Sequence, residues 1–296
     1  MYDIIIIGAG PAGLSAALFA LRANKTVLVI EASNYGGKIV NAHKIENYPG
    51  IVNITGYDFA TNLYNQVKNL GCEIHYETAL RIEDNKMVIT NKAKYQAKAI
   101  IIATGLVNKK LNIPEEDKYL GKGLSYCAVC DGNFFRNKTV AVVGGGDNAM
   151  DDAIYLADLA TKVYVINHGS ELKATELLKD KVNSLDNVEV FNNVEVTEII
   201  GENKVESIKL SDGKTLEVDG IFIAIGFTPS NKAFSNVVTL NEKGYIVTTD
   251  GVRTNVKGIY VAGDNRVKEL RQLTTAVNDG SIAATIAVKE INENII

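Results

Sequence analysis

Twice along this chain a run of branched apolar residues ends in a cluster of glycines, a pattern that few folds accommodate even once. Ile4–Ile7 leads into Gly8-Ala9-Gly10-Pro11-Ala12-Gly13, a helical stretch Leu14–Ala23, a second apolar run Thr26–Ile30, and then Glu31. Strand, glycine turn, helix, strand and acid, in that order, form the dinucleotide fingerprint in its required context. The glycines let the backbone approach a pyrophosphate, and the helix N-terminus favours its negative charge. An acid about 20 residues on can accept from ribose hydroxyls. The plainer alternative is a set of glycines that only turns a tight corner. Thr139–Val143, Gly144-Gly145-Gly146-Asp147-Asn148-Ala149, a helix over Met150–Leu159 and a strand over Lys162–Ile166 repeat the pattern. Ala149 is small enough to keep helix and strand close. The expectation is an α/β chain with two Rossmann-like domains of the nucleotide-binding type, each in three ββα layers.

These domains are expected to be nested. Ala99–Gly105 and Gly220–Gly226 are matching apolar strands ending in glycine, and they bring the chain near two domain crossings. Beyond Phe227–Ser230 come a short strand pair and then an apolar strand over Thr254–Asp264. That strand presents a carboxylate at a sheet's C-terminal edge, where ligands bind in open α/β sheets. A last helix begins near Arg271 and runs to about Ile291. If Asp264 serves the first glycine turn, residues 1–110 and 230–296 form one domain and 111–229 an insertion. A chain of 296 residues can bury two cores. Its formal charge of −4 argues against nucleic acid or an acidic membrane as the main partner. The N-terminus lacks the regions of a signal peptide, and no apolar stretch is long enough to span a bilayer, so a cytoplasmic protein is expected.

Shortly before the second glycine turn stands Cys127-Ala128-Val129-Cys130-Asp131. Two thiols at this spacing close into a small disulfide ring and reopen by exchange, which makes them a carrier of two electrons. Half of a zinc site has the same spacing. The chain holds only three cysteines and three histidines, however, and Cys72 stands alone. With no second ligand pair, redox work is the favoured reading and no metal is expected. Cys72 reads as a small core residue.

Taken in order, Gly8–Gly13, Gly36-Gly37, Glu46-Asn47-Tyr48-Pro49-Gly50, Ala103-Thr104-Gly105, Cys127–Asp131, Gly144–Ala149, Gly263-Asp264 and Arg271-Gln272 resemble the low-molecular-weight thioredoxin reductases through nearly the whole chain. The resemblance implies FAD on the discontinuous outer domain, a nicotinamide nucleotide on the inserted one, a homodimer, and thioredoxin as the electron acceptor. By that likeness Cys130 faces the flavin, Cys127 attacks the partner's disulfide, and Asp131 gives or takes the proton. For Asp131 the competing role is to cap a helix or turn. Fingerprint and resemblance together point to FAD contacts at Gly8, Gly10, Pro11, Ala12, Gly13, Glu31, Gly37, Lys38, Asn47, Ala103, Thr104, Gly105, Gly263, Asp264, Arg271, Gln272 and Leu273. Asp264 falls near the ribityl and pyrophosphate portion and Gln272 near the ring. Several of the glycines and Pro11 shape turns.

One stretch departs from the family. Where the second nucleotide strand is normally followed by His-Arg-Arg and a further arginine, this chain has Asn167-His168-Gly169-Ser170-Glu171-Leu172-Lys173. The 2′-phosphate of NADPH is a compact dianion that needs a fork of cationic donors. An NADH site usually has an acid at this strand end, and Asn167 stands there instead. The pattern resembles the ferredoxin-dependent flavin thioredoxin reductases, which keep the CxxC and lack functional NADPH motifs. Reduced ferredoxin is therefore the expected donor. NAD(P)H bound by unusual contacts is the alternative, and a flavin-bound redox sensor without turnover is a third reading. An acidic ferredoxin calls for a basic patch. Lys109, Lys110, Lys118, Lys122, Arg136 and Lys138 are candidates, against the plainer view of scattered solvated cations. Lys38 stands where the family usually has glutamine, and a cation there could stabilise anionic reduced flavin.

Overall fold

The N-terminal apolar run forms β1 (Tyr2–Ile7) inside a parallel sheet, in a computed structural model that describes every residue except His43. The chain continues through α1 (Pro11–Arg22), β2 (Val27–Glu31), α2 (Gly56–Asn69), β3 (Glu73–Tyr76), β4 (Ala79–Glu83) and β5 (Met87–Thr90) to β6 (Lys94–Ile102). After β7 (Leu106–Asn108) come β8 (Leu124–Ser125), α3 (Ala128–Asp131), β9 (Thr139–Val143), α4 (Asp147–Ala157), β10 (Lys162–Asn167), α5 (Glu176–Asn183) and β11 (Val188–Asn192). The meander β12 (Val196–Ile200), β13 (Ser207–Leu210) and β14 (Thr215–Glu217) then leads to β15 (Gly220–Ile223). β16 (Phe227–Pro229), β17 (Ile259–Val261) and α6 (Leu273–Asn292) complete the chain. Two units result: Met1–Val107 with Thr228–Ile296, and Asn108–Phe227.

In the first unit the parallel strands run in the order β3, β2, β1, β6, with β17 also on β6. β6 serves two sheets. Its residues 94–96 pair antiparallel with β5, and residues 97–102 pair parallel with β1. Side chains alternate between the two sides of the parallel sheet. Ile4, Ile6, Val27, Val29 and Ile101 pack with Leu14, Phe59, Leu63, Ala283 and Ala287 of the helices. Ile5, Ile7, Leu28, Ile30 and Ile100 pack with Ile82 and Val88 of the antiparallel strands. Ile4–Ile7 are each at most 4% exposed, and full burial of such a side chain contributes about 1.5–3 kcal/mol. A strand covered on both faces is therefore apolar at every position rather than at alternate ones.

The second unit repeats this plan. Its parallel order is β11, β10, β9, β15, β8, and β12–β14 form the antiparallel layer. Val140, Val142, Val163 and Val165 pack with Ala149, Ala153 and Leu156 of α4, while Ala141, Val143, Ile166 and Ile221 pack with Ile199, Ile208 and Leu210. The α/β class with two Rossmann-like, three-layer units is the observed fold.

Several element bounds differ from expectation, each for a local reason. α1 and α4 begin at Pro11 and Asp147, inside the glycine clusters. Proline is pre-organised for the first helical position, and Gly13 is a contact residue, since a Cβ there would lie 1.9 Å from Gly8 O. The strand pair expected between Ser230 and Thr254 is reduced to a single antiparallel bridge. Leu240 and Ile246 make the bridge, flanked by Asn241 N to Tyr245 O and Val247 N to Thr239 O (2.9 Å each), and Asn241 Oδ1 accepts from Lys243 N (3.0 Å) and Tyr245 N (2.9 Å) in the turn. The strand expected from Thr254 shortens to β17, because Thr254 Oγ1 closes a turn by donating to Ile259 O at 2.7 Å and accepting from Val256 N at 3.1 Å. The last helix starts at Leu273, with Gln272 as its cap.

Candidate dinucleotide and disulfide sites

In the first unit the glycine turn lies where β1 passes the end of β6. Gly8 has φ +112°, and a Cβ there would stand 2.3 Å from Ala103 O, so only glycine fits. Gly10 is different: a Cβ would make only ordinary contact, with Gly37 Cα at 3.9 Å, so the turn is uncrowded there. Gly36 N donates to Ala9 O at 2.7 Å, which draws the short helical turn Gly37–Asn41, with Lys38, over the glycines. Glu31 Oε2 accepts from Ala9 N (2.8 Å) and Oε1 from Ser33 N (2.9 Å), tying the end of β2 to the same turn. Gly263 presses against Ala12, whose Cβ would be 2.9 Å from a Cβ on the glycine.

Other expected residues meet in pairs. Asn47 Nδ2 donates to Gln272 Oε1 at 3.2 Å, and the Gln272 side chain caps α6, with the buried Leu273 following. Arg271 braces a loop rather than pointing outward as a free cation. Its Nε donates to Asp264 O (3.3 Å) and Nη2 to Arg266 O (3.2 Å), with the guanidinium 4.4 Å from the Tyr245 ring centre. Thr104 Oγ1 lies between Asn231 Oδ1 (3.1 Å) and Asn265 Nδ2 (3.0 Å), and Gly105 follows with open space around it. Burial pushes the Lys38 ammonium down to about 7, against the opposing pull of the Asp264 carboxylate.

Sequence reasoning missed five residues here: Asn231, Asn265, Arg266, Lys268 and Asp279. The signal for Arg266 and Lys268 was a pair of cations shortly after Asp264 in the chain; Asp279 carried none. Asp264 Oδ1 is buried without a hydrogen-bond donor; Lys268 Nζ stands 3.1 Å away as an ion-pair partner but outside hydrogen-bonding direction. The unmet oxygen, the uncrowded Gly10 and the uncapped N-terminus of α1 fit a ligand with hydroxyls and a pyrophosphate.

The second unit reproduces this skeleton contact by contact. Gly144 N donates to Ile166 O and Ala224 N to Val143 O, as Gly8 N does to Ile30 O and Ala103 N to Ile7 O. Lys173 N donates to Gly145 O at 2.7 Å, the counterpart of Gly36 on Ala9. Gly146 has open space where a Cβ would be, whereas Gly10 has Gly37 Cα at 3.9 Å. The strand end differs. Asn167 is buried, and its Nδ2 donates to Asn192 Oδ1 (2.8 Å) and Gly169 O (3.1 Å). Its Oδ1 would lie 2.3 Å from a Cβ on Gly145. His168 and Lys173 are exposed.

Cys127 and Cys130 are joined as a disulfide at the start of α3, within the second unit. Cys127 Sγ accepts from Cys130 N at 3.1 Å. Ser125, also unforeseen, accepts from Cys127 N (3.0 Å) and donates to Asp131 Oδ2 (2.6 Å), so one hydroxyl couples the acid to the disulfide backbone. Asp131 makes no side-chain cap. The expected basic patch is partly neutralised: Lys110 pairs with Asp117 (2.6 Å) and Lys118 with Glu115 (3.1 Å). Cys72 is buried, and burial pushes its thiol up to about 11. Among the described residues no group of three or more His, Cys, Asp or Glu could hold a metal, and no helix is long and apolar enough to cross a membrane.

Residues 2–280 match the family described as pyridine nucleotide-disulphide oxidoreductase. A thioredoxin reductase of Listeria innocua is 43% identical, over 99% of this chain and 95% of that one. The chain belongs to the thioredoxin reductase family. The crystal structure of the Lactococcus lactis thioredoxin reductase superposes with a TM-score of 0.90 at 38% identity, covering 99% of this chain and 100% of that one. A ferredoxin-flavin thioredoxin reductase from Clostridium acetobutylicum is 32% identical over 99% and 98% of the two chains, with a TM-score of 0.54. FAD is the cofactor of this family, and the glycine turn and Asp264 of the first unit suit it.

Proposed function

We propose that this protein is a cytoplasmic, homodimeric thioredoxin reductase whose electrons come from a reduced ferredoxin rather than from NADPH. The observation that carries the donor assignment is the end of β10. Asn167 is held by Asn192 and Gly169, and no guanidinium follows it before α5. A 2′-phosphate brought there loses the charged hydrogen bonds worth about 1.5–3 kcal/mol each.

FAD, held by the first unit through Gly8–Gly13, Glu31, Lys38, Asp264 and Gln272, supplies the conversion between one- and two-electron transfer. Two electrons break the Cys127–Cys130 bond and leave Cys127 as a thiolate, supported by the N–H of Cys130. Cys127 then attacks the thioredoxin disulfide, Cys130 displaces the mixed disulfide, and the bond re-forms with the electron pair on thioredoxin. Asp131, held by Ser125, gives and takes the accompanying proton.

The open side of Gly146 favours a second reading, in which a nicotinamide nucleotide still binds the second unit and reduces the flavin. Anaerobic mixing of the FAD-loaded protein with NADPH, NADH or reduced ferredoxin, followed by flavin absorbance, decides between them. Rapid bleaching by ferredoxin alone is expected. Rapid bleaching by either nucleotide overturns the donor assignment and leaves the reductase chemistry standing.

A further inference from the structure

Behind Asp264 lies a closed ionic array. Asp279, two turns into α6 and only 3% exposed at its side chain, accepts from Arg266 through both oxygens (Nε to Oδ2 2.9 Å, Nη2 to Oδ1 2.8 Å). It also accepts from Lys268 Nζ (3.2 Å) and from Gly263 N (3.1 Å). The Lys268 ammonium, 6% exposed, lies 3.1 Å from Asp264 Oδ1 at the same time. One carboxylate of α6 thus grips the Asp264 loop before and after Asp264. A single broken member of such a buried set leaves an uncompensated charge, so the array holds a fixed balance. The two carboxylates, Asp264 and Asp279, balance the two cations, Arg266 and Lys268, and Lys38 interacts with Asp264 from outside this set.

We propose that Asp279 and Lys268 are a positioning couple that sets the electron affinity of the flavin held at Asp264. The inference rests on the first unit being the FAD site. Reduction adds negative charge to the cofactor; a fixed cation beside it favours the reduced form, and a fixed anion disfavours it. Lys268 supplies the cation, and Asp279 limits how much of it is felt while fixing where Asp264 points. A scaffold role alone predicts that losing either residue has the same consequence. An electrostatic role predicts opposite ones.

The test is an anaerobic redox titration of the FAD-loaded wild type, Asp279→Asn and Lys268→Met against reference dyes. At a fixed potential the ratio of reduced to oxidised flavin rises about tenfold in Asp279→Asn and falls about tenfold in Lys268→Met. For a two-electron couple that is about 30 mV in each direction. Lys268→Arg, which keeps the charge, titrates like the wild type. Should either variant fail to fold, Asp279→Ser and Lys268→Gln remove the same charges and carry the same expectations. Shifts of the same sign, or none, overturn the inference while the FAD assignment stands. A wild type that takes up no FAD overturns both.

Discussion

If the end of β10 excludes NADPH for want of cations, restoring a fork there should confer NADPH binding and leave NADH binding alone. The perturbation is His168→Arg with Gly169→Arg. His168 is exposed, and Gly169 lies outside the left-handed region; a Cβ on it would meet Glu171 O at 3.3 Å and the Asn167 amide at 3.7 Å. Both arginines are therefore accommodated with a shift of a few tenths of an ångström. Two charged hydrogen bonds contribute about 3–6 kcal/mol. The exposed carboxylate of Glu171 competes for the guanidiniums, which reduces the gain to about 2–4 kcal/mol. At about 1.4 kcal/mol per decade, NADPH affinity rises between about 30-fold and 10³-fold. Equilibrium dialysis of both nucleotides against both proteins measures it. Equal tightening of NADPH and NADH, or a wild type that already prefers NADPH by this factor, refutes the argument.

Three further outcomes are expected. Cys130→Ser keeps its FAD but loses thioredoxin reduction, and it accumulates a mixed disulfide through Cys127 on mass analysis; undiminished turnover refutes the assigned route. Burial, with the Asp151 charge second, pushes the Asp152 carboxyl from 3.8 to about 7, so the folded protein binds the extra proton and stability falls as pH rises through that window. Asp152→Asn should then stabilise by about 2–4 kcal/mol at pH about 8 and far less at pH about 5 in urea unfolding, and equal gains at both refute it. For Lys38 the folded value is lowered from 10.5 to about 7, so its penalty is complete below pH 7 and disappears as pH approaches 10.5. Lys38→Gln should raise the melting temperature of the FAD-free protein at low pH, with the advantage vanishing as pH rises; the reverse trend contradicts the burial argument.

Much of this architecture is legible in local pattern because both sheets bury the same kind of strand behind the same kind of turn. Ile4–Ile7 and Val140–Val143 announce strands covered on both faces, and Gly8 and Gly144 announce a backbone passing within contact of another carbonyl. What the residues alone hide is pairing between distant side chains. Nothing local in Asp279 marks it as the partner of Arg266 and Lys268, because helical and loop spacing give no hint of which face meets which. The stretch from Ser230 to Thr254 misled for another reason: its pairing stops at one antiparallel bridge, because the Asn241 and Thr254 side chains turn the backbone back within a few residues. Arg271, expected at the cofactor, also holds two carbonyls and an aromatic face, contacts that its neighbours in the chain do not announce.

Cys72, set into the core and with its thiol raised far above neutrality, gives the molecule a built-in silent witness. A mild alkylating agent at neutral pH should label only the exchanging pair once that pair is opened. The third sulfur answers only when the surrounding helix and strands come apart, so counting labels separates chemistry at the redox pair from loss of the fold around it.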